Sequence, residues 1–271
     1  MELLVTTDWL ASELGQPDLV ILDASLAPPG STADPCAAYA QAHIPGARFL
    51  DLAALKSADS PQKFAVAMEA LGVGRDDQII VYDDTPLRSA TRGWWLLRHH
   101  GARQVAVLDG GLAKWRSEGR PIESDKPAPR TARFPATDVQ PEIVTKADLL
   151  AGIDEPLLDA RDAARFSGAA SDPRPGIADG HIPGARNLPF ADLYRPDGTM
   201  KDEAELRAAF AAAGIDPAEP FVASCGSGVT ATSLLFAANR LGNDRGRLYQ
   251  GSWTEWGADP ATPKEMGPPK G

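Results

Sequence analysis

The run His43-Ile-Pro-Gly-Ala-Arg48 occurs a second time, unchanged, as His181-Ile-Pro-Gly-Ala-Arg186. The two copies lie about 140 residues apart, a period too long for a solenoid repeat. The residues around them also recur in one order, beginning with a short apolar run that contains an aspartate, Leu19–Ala24 in the first half and Pro156–Arg161 in the second. The sequence therefore predicts an internal duplication.

Each half alternates short apolar runs with segments of helical character. The runs IIVYD, VAVLD, PLLDA and FVAS have no polar alternation, which is typical of strands that are buried on both faces. Ala90–His100 and Ala204–Ala213 are predicted helices, and Asp202 is the expected N-cap of the second. This order predicts an α/β fold in which each half is a parallel sheet flanked by helices, with the functional loops at the carboxyl ends of the strands.

The predicted domain boundaries follow from this duplication. Residues 1–122 form the first domain and residues 142–271 the second. Between them, residues 123–141 are rich in proline and break the alternation, so we interpret them as a linker.

Composition narrows the class of protein. The chain has 271 residues, of which 43% are hydrophobic, and only two cysteines, which favours a reducing compartment over a disulfide framework. No signal peptide or membrane-spanning run is recognised, so a cytoplasmic enzyme without membrane association is expected. The net charge of −10 argues against nucleic acid as a partner. The four histidines and two cysteines show no metal-ligand spacing, and neither a metal nor a cofactor is expected.

Cys225 is the strongest candidate for chemistry. It ends the apolar run that begins at Phe221, and the loop Gly-Ser-Gly-Val-Thr leads from it into the predicted helix Ala231–Leu241. Loop amides and a helix N-terminus stabilise a thiolate, the reactive form of cysteine. The alternative is a small buried residue that merely ends a strand. That alternative is our interpretation for Cys36, which no glycines follow.

The same loop argues against a cysteine phosphatase. Such an enzyme needs a guanidinium at the sixth residue after the nucleophile to bind phosphate. Here that residue is Ala231.

Three features together resemble the tandem-domain rhodaneses, a family of sulfurtransferases. They are the duplicated run with its upstream aspartate, the loop Cys225–Thr230, and the ending Gly251-Ser-Trp-Thr-Glu-Trp256, and the resemblance extends from Met1 to about Asp259. It implies two rhodanese-like domains, a persulfide carried by Cys225, and a silent first domain. In the first half the corresponding strand ends at Asp83, which cannot carry sulfur.

The loop also resembles one branch of this family more than another. Branches that use thiosulfate have Cys-Arg-Lys-Gly-Val-Thr-Ala, whereas those that use 3-mercaptopyruvate have Cys-Gly-Ser-Gly-Val-Thr-Ala, the run found at Cys225–Ala231. Gly226 and Ser227 offer hydrogen bonds but no charge, which suits a thiol and a ketone better than a dianion. The alternatives that stay open are a thiosulfate sulfurtransferase and a noncatalytic sulfur-carrier or binding module.

The resemblance also implies roles for individual residues. Arg165 and Arg174 correspond to the arginines that bind the substrate carboxylate and ketone, although either could be a solvated surface residue. The loop amides would stabilise the sulfur, and these loop positions are Gly226, Gly228, Val229 and Thr230. A thiol such as thioredoxin, or cyanide, would accept the sulfur, and a monomer is expected.

A Ser-His-Asp relay is implied as well, in the order Ser227, His43 and Asp34. Its aspartate rests on position alone, and Asp51 or Asp23 could take that place. His43 could equally hold its own turn, which is our interpretation for His181.

Overall fold

The computed structural model describes residues 1–55, 60–128, 130–135, 137 and 143–268. The chain divides into two compact units. Unit 1 comprises Met1–Gln140 with Pro196–Thr199, and unit 2 comprises Pro141–Arg195 with Met200–Gly271. Among the described residues, no helix combines the length and apolar character that a membrane span requires.

Unit 1 is an α/β domain. Its strands are β1 (Leu4–Val5), β2 (Leu19–Asp23), β3 (Arg48–Phe49), β4 (Gln78–Tyr82) and β5 (Gln104–Leu108). Its helices are α1 (Thr7–Glu13), α2 (Pro35–Gln41), α3 (Leu52–Leu55), α4 (Pro61–Ala70), α5 (Ala90–His99) and α6 (Gly111–Ser117).

Unit 2 repeats this plan. Its strands are β6 (Ile143–Val144), β7 (Leu157–Asp159), β8 (Arg186–Asn187), β9 (Val222–Ser224) and β10 (Arg247–Tyr249). Its helices are α7 (Lys146–Ala151), α8 (Ala163–Ser167), α9 (Glu203–Ala212), α10 (Ala231–Arg240) and α11 (Ser252–Trp256), with a 3₁₀ helix at Phe190–Leu193. Helix α9 begins with the predicted cap, because Asp202 accepts from the amide of Glu205 and the Glu205 side chain accepts from that of Asp202.

The two sheets have the same topology within the described residues. The strand orders are β1-β5-β4-β2-β3 and β6-β10-β9-β7-β8, and every pairing in them is parallel. The predicted fold class, two parallel sheets flanked by helices, is confirmed. Strand β9 lies at the centre of its sheet, between β10 and β7, so its carboxyl end opens at the edge where α/β folds place their sites.

The register of the strand pairs gives corresponding positions in the two units. Asp23 pairs with Tyr82 in unit 1, and Asp159 pairs with Ser224 in unit 2. Asp83 directly follows the central strand of unit 1, and Cys225 directly follows that of unit 2. The carbonyl of Asp83 accepts the amide of α6 residue Leu112 at 3.0 Å, and that of Cys225 accepts the amide of α11 residue Trp253 at 2.9 Å. Asp83 therefore occupies in unit 1 the place that Cys225 has in unit 2.

Each unit has its own hydrophobic core beneath these strands. The core of unit 1 includes Ile21, Ile80, Ala106 and Trp115, and that of unit 2 includes Phe166, Val222, Tyr249 and Trp253. The apolar runs in the sequence supply the strand residues of both cores, which is why those runs lack polar alternation.

The segment predicted as a linker is partly packed on unit 1. Backbone bonds of 2.9 Å join Glu123 and His43 in both directions. The guanidinium of Arg130 binds both carboxylate oxygens of Asp77, at 2.5 and 2.6 Å, and Phe134 is buried. The described part of residues 123–141 therefore makes tertiary contacts that its proline-rich composition did not indicate, and the interdomain linker over this range stays a prediction. Residues 129, 136 and 138–141 of that segment lie outside the described residues.

Candidate active site

Cys225 lies directly after β9, and its side chain is 1% exposed. The amide of Gly228 donates to its Sγ at 3.1 Å. Gly228 is one of the loop residues whose amides were predicted to stabilise the sulfur. A backbone dipole in this position favours the anionic thiolate. The thiol is therefore buried but held by a polar group.

Gly228 can make this bond because it is a glycine. Its φ of +75° lies in the left-handed region, which side chains other than glycine rarely adopt. A Cβ at this position would also lie 2.7 Å from the carbonyl oxygen of Gln250. The loop continues through Thr230 into α10, ten residues long, whose N-terminus carries the positive end of the helix dipole.

Ser252, at the start of α11, fixes the backbone of the cysteine. Its Oγ accepts the amide of Cys225 at 3.1 Å, donates to the carbonyl of Tyr249 at 2.8 Å, and lies 4.0 Å from Sγ. Its φ of +51° matches the φ of +57° at Gly111, the corresponding residue of unit 1. Ser252 was not identified from the sequence, although aligning Gly110-Gly111 with Gly251-Ser252 shows a serine in a glycine position.

Arg174 reaches the same loop. Its Nη1 donates to the carbonyl of Gly226 at 3.1 Å and to Oγ1 of Thr254. Its Nε and Nη2 donate to the two carboxylate oxygens of Asp172, both at 2.7 Å. The structure therefore brings a guanidinium to the residue that follows Cys225. Neither Asp172 nor Thr254 was identified from the sequence, since the local pair of Asp172 with Arg174 matches no motif and Thr254 reaches Arg174 from a distant segment.

The charge of Arg174 is already paired. Burial alone would raise the pKa of Asp172, whose side chain is 1% exposed, but the bonds from Arg174 outweigh burial and leave this pKa below its usual value. Asp172 is therefore ionised at neutral pH. The pair keeps the guanidinium in place without adding net charge beside the loop.

Arg165 lies near the same carboxylate. Its Nε donates to Asp162 at 2.5 Å, and its positive charge also acts on Asp172. Its side chain is 27% exposed. The charges of Arg165 and Arg174 thus both act on Asp172, and their binding of one substrate stays a prediction.

Ser227, Val229 and Thr230 are partly exposed along the loop. Val229 and Thr230 lie just before α10, and their carbonyls accept the amides of Thr232 and Ser233 in its first turn. The loop therefore presents an uncharged surface between the buried sulfur and solvent.

His43 and Asp34 have contacts of their own in unit 1. The ring of His43 is buried and stacks on Tyr39, Nδ1 lies 2.7 Å from the Tyr39 carbonyl, and Nε2 lies 3.8 Å from Glu123. The carboxylate of Asp34 caps α2 by accepting the amides of Cys36 and Ala37. The carboxylate that faces His43 is thus that of Glu123, and these contacts do not support the Asp34–His43 pairing of the relay.

His181 in unit 2 makes contacts that correspond to those of His43 in unit 1. It stacks on Phe166, its Nδ1 lies 2.9 Å from the Phe166 carbonyl, and its Nε2 lies 3.8 Å from Glu265. The same three contacts therefore hold the turn in both units, as predicted for His181.

Comparison with known proteins now decides the family. The rhodanese-like domain matches residues 6–118 and again residues 145–259. The chain belongs to the rhodanese family. A 3-mercaptopyruvate sulfurtransferase from Escherichia coli K12 is 42% identical to this rhodanese over 96% of the chain and 97% of the relative. A thiosulfate sulfurtransferase from Bos taurus is 36% identical over 93% and 91%.

A solved structure gives the same result for the fold. The crystal structure of SseA from Escherichia coli, a 3-mercaptopyruvate sulfotransferase with the rhodanese fold, superposes with a TM-score of 0.84 at 38% identity. It covers 93% of this chain and 99% of that one. This rhodanese is therefore a sulfurtransferase, an enzyme that takes sulfur from a small donor and passes it to a thiol or cyanide.

Proposed function

We propose that this rhodanese is a 3-mercaptopyruvate sulfurtransferase that carries the sulfur as a persulfide on Cys225. One observation supports this most directly: the Arg174 guanidinium binds the carbonyl of Gly226, the residue that follows the cysteine. A donor whose carboxylate lies at Arg174 would have its remaining atoms within reach of the loop. The relatives named for mercaptopyruvate add support, since the resemblance covers almost the whole chain.

In the first step the Cys225 thiolate attacks the sulfur of mercaptopyruvate. An S–S bond forms, the C–S bond breaks, and its electron pair goes to the carbon, giving the enolate of pyruvate. A proton then converts the enolate to pyruvate, and the enzyme holds Cys–S–SH. No external oxidant is needed, because the electron pair of the broken C–S bond stays on the carbon of the product.

In the second step an acceptor removes the outer sulfur. A thiolate such as that of thioredoxin attacks this sulfur and leaves as a persulfide, or cyanide attacks it and leaves as thiocyanate. The electron pair of the S–S bond returns to Cys225, which is again a thiolate.

The site residues divide this work. Arg165 and Arg174 bind the carboxylate and ketone, and the amides of the loop stabilise first the thiolate and then the persulfide. The loop positions are Gly226, Gly228, Val229 and Thr230. Ser227, partly exposed beside the sulfur, is the hydroxyl available to the substrate thiol. We propose no relay through His43 and Asp34, because His43 contacts the Tyr39 carbonyl and Asp34 caps α2 in unit 1.

A thiosulfate sulfurtransferase is the second candidate, because a relative at 36% identity carries that name. Charge favours mercaptopyruvate. Between Cys225 and Ala231 the loop has no cation, and the charge of Arg174 is balanced by Asp172. A monoanion fits this environment better than a dianion, whose second charge would have no partner.

Initial rates test the assignment. With cyanide as acceptor, we expect kcat/KM for mercaptopyruvate to exceed that for thiosulfate by at least ~10-fold, which corresponds to about 1.4 kcal/mol. A higher value for thiosulfate would overturn the proposal. We further propose a cytoplasmic monomer, which fractionation and light scattering would check.

A further inference from the structure

We propose that Thr254 is a positioning residue: its hydroxyl holds the Arg174 guanidinium against the cysteine loop, in the orientation that receives the donor's carboxylate. This inference rests on the proposed function and assigns a further residue to its binding step. Thr254 lies in α11, outside the loop and outside both arginine segments.

Within the described residues, four of the five N–H groups of the Arg174 guanidinium have protein acceptors. Arginine has five N–H groups. Among the described residues, Asp172 accepts two of them, from Nε and Nη2, and Nη1 donates its two to Gly226 and Thr254. The fifth N–H, on Nη2, is the one left for a ligand. Its direction is set by the four bonds that the other N–H groups make.

Nη2 of Arg174 lies close to the backbone of Gly226. A Cβ built on Gly226 would be 2.8 Å from it, so the missing side chain of this glycine is what admits the guanidinium. Nη2 therefore lies over the residue next to Cys225. A carboxylate that binds there sits beside the nucleophile.

Thr254 and Asp172 hold Arg174 in different ways. Asp172 is two residues from Arg174 in the same loop, so their ion pair is local and would move with that loop. Thr254 instead donates to the Gly226 carbonyl through both its hydroxyl, at 2.5 Å, and its amide, at 2.9 Å, while accepting from Arg174. Its hydroxyl thus joins the arginine to the cysteine loop.

The same helix also fixes the nucleophile, since the amide of Trp253 donates to the carbonyl of Cys225 at 2.9 Å. Consecutive residues of α11 therefore hold the cysteine and the arginine. Without the hydroxyl of Thr254, Nη1 keeps one protein partner, and the guanidinium can turn about its bonds to Asp172.

The test compares Thr254→Val, which keeps the shape and removes the hydroxyl, with Thr254→Ser, which restores it. Loss of one hydrogen bond should raise KM for mercaptopyruvate by about three- to tenfold in the valine variant. We expect kcat and the KM for cyanide to change by less than about twofold, because Thr254 acts on donor binding and not on the sulfur. The serine variant should have the wild-type KM.

Two controls exclude a merely structural role. Thr262→Val removes a hydroxyl that also donates to a carbonyl, that of Trp256 at 2.6 Å, and should lower the melting temperature without changing KM. In an Arg174→Lys background, Thr254→Val should raise KM no further, because Thr254 acts through the arginine.

Calorimetric measurement of pyruvate binding tests the positioning role of Thr254 independently of turnover. We expect the Kd to rise in Thr254→Val by the same factor as KM. A wild-type Kd and KM in that variant would overturn the positioning role, as would an undiminished effect in the Arg174→Lys background or a wild-type protein that fails to bind pyruvate. Pyruvate binding that depends on Thr254, without turnover of mercaptopyruvate, would instead refute only the proposed function.

Discussion

At the scale of single residues, the site combines a buried sulfur with a guanidinium whose charge is already matched. Cys225 has the Gly228 amide at 3.1 Å, and Arg174 has Asp172 on one side and Gly226 on the other. Selectivity in such a site depends on how the arginine is oriented, since its net contribution of charge is small. Geometry, more than charge, therefore distinguishes a keto acid from other monoanions here.

Arg174→Lys tests this view of the arginine. Lysine keeps the charge but cannot bind Asp172, Gly226 and Thr254 together, so KM for mercaptopyruvate should rise about 10- to 100-fold. KM for cyanide should stay unchanged in steady-state assays. Arg240→Lys, which removes a guanidinium that donates to the carbonyl of Lys201, is the matched control and should behave as wild type. Equal increases in both KM values would argue against a carboxylate-binding role.

At the scale of elements, the turn after β9 depends on glycine geometry. Gly228→Ala places a side chain at a φ of +75° and a Cβ 2.7 Å from the Gln250 carbonyl. The Gly228 amide should then move away from Sγ, and we expect transfer to slow by about 100-fold, as when one hydrogen-bond donor to a developing anion is lost.

Gly184→Ala is the control for strain alone. Gly184 has a φ of +77°, and a Cβ there would have nothing within 4 Å. We expect this variant to lose about 1–2 kcal/mol of stability and to keep its transfer rate. Similar rates in the two alanine variants, measured by stopped flow, would contradict a specific role for the Gly228 amide.

The end of β4 in unit 1 holds a carboxylate where unit 2 has its thiol. Burial raises the pKa of Asp83 to about 6, although the Ala90 amide donates to its Oδ2 at 2.7 Å. The folded state then holds this proton more tightly than the unfolded state, so ionisation of Asp83 destabilises unit 1 as pH rises from about 4 to about 6.

Asp83→Asn removes that ionisation. Relative to wild type, the variant should gain about 1–3 kcal/mol between pH 4 and pH 6 and hold this gain at higher pH. Hydrogen exchange of the β4 amides at several pH values measures the difference. A difference that does not vary with pH would show that Asp83 is not ionising within this window.

At the scale of the whole molecule, the duplication explains which features the sequence could predict. The two parallel sheets and the cap at Asp202 follow from local patterns, and local patterns are what apolar runs and capping residues report. Ser252 and Thr254 are different, because their roles depend on segments that meet only in the folded chain. Sequence motifs therefore did not identify the residues that position Cys225 and Arg174.

The persulfide on Cys225 is the centre of this account, and mass spectrometry of the intact chain and of its peptides tests it most directly. After treatment with mercaptopyruvate and no acceptor, we predict one added sulfur, about 32 Da, on the peptide that contains Cys225, and its loss when cyanide is added. Cys36→Ser should retain the adduct, since the exposed Cys36 has no part in transfer, and Cys225→Ser should lack it. An adduct that persists in Cys225→Ser, or that maps to Cys36, would contradict the account.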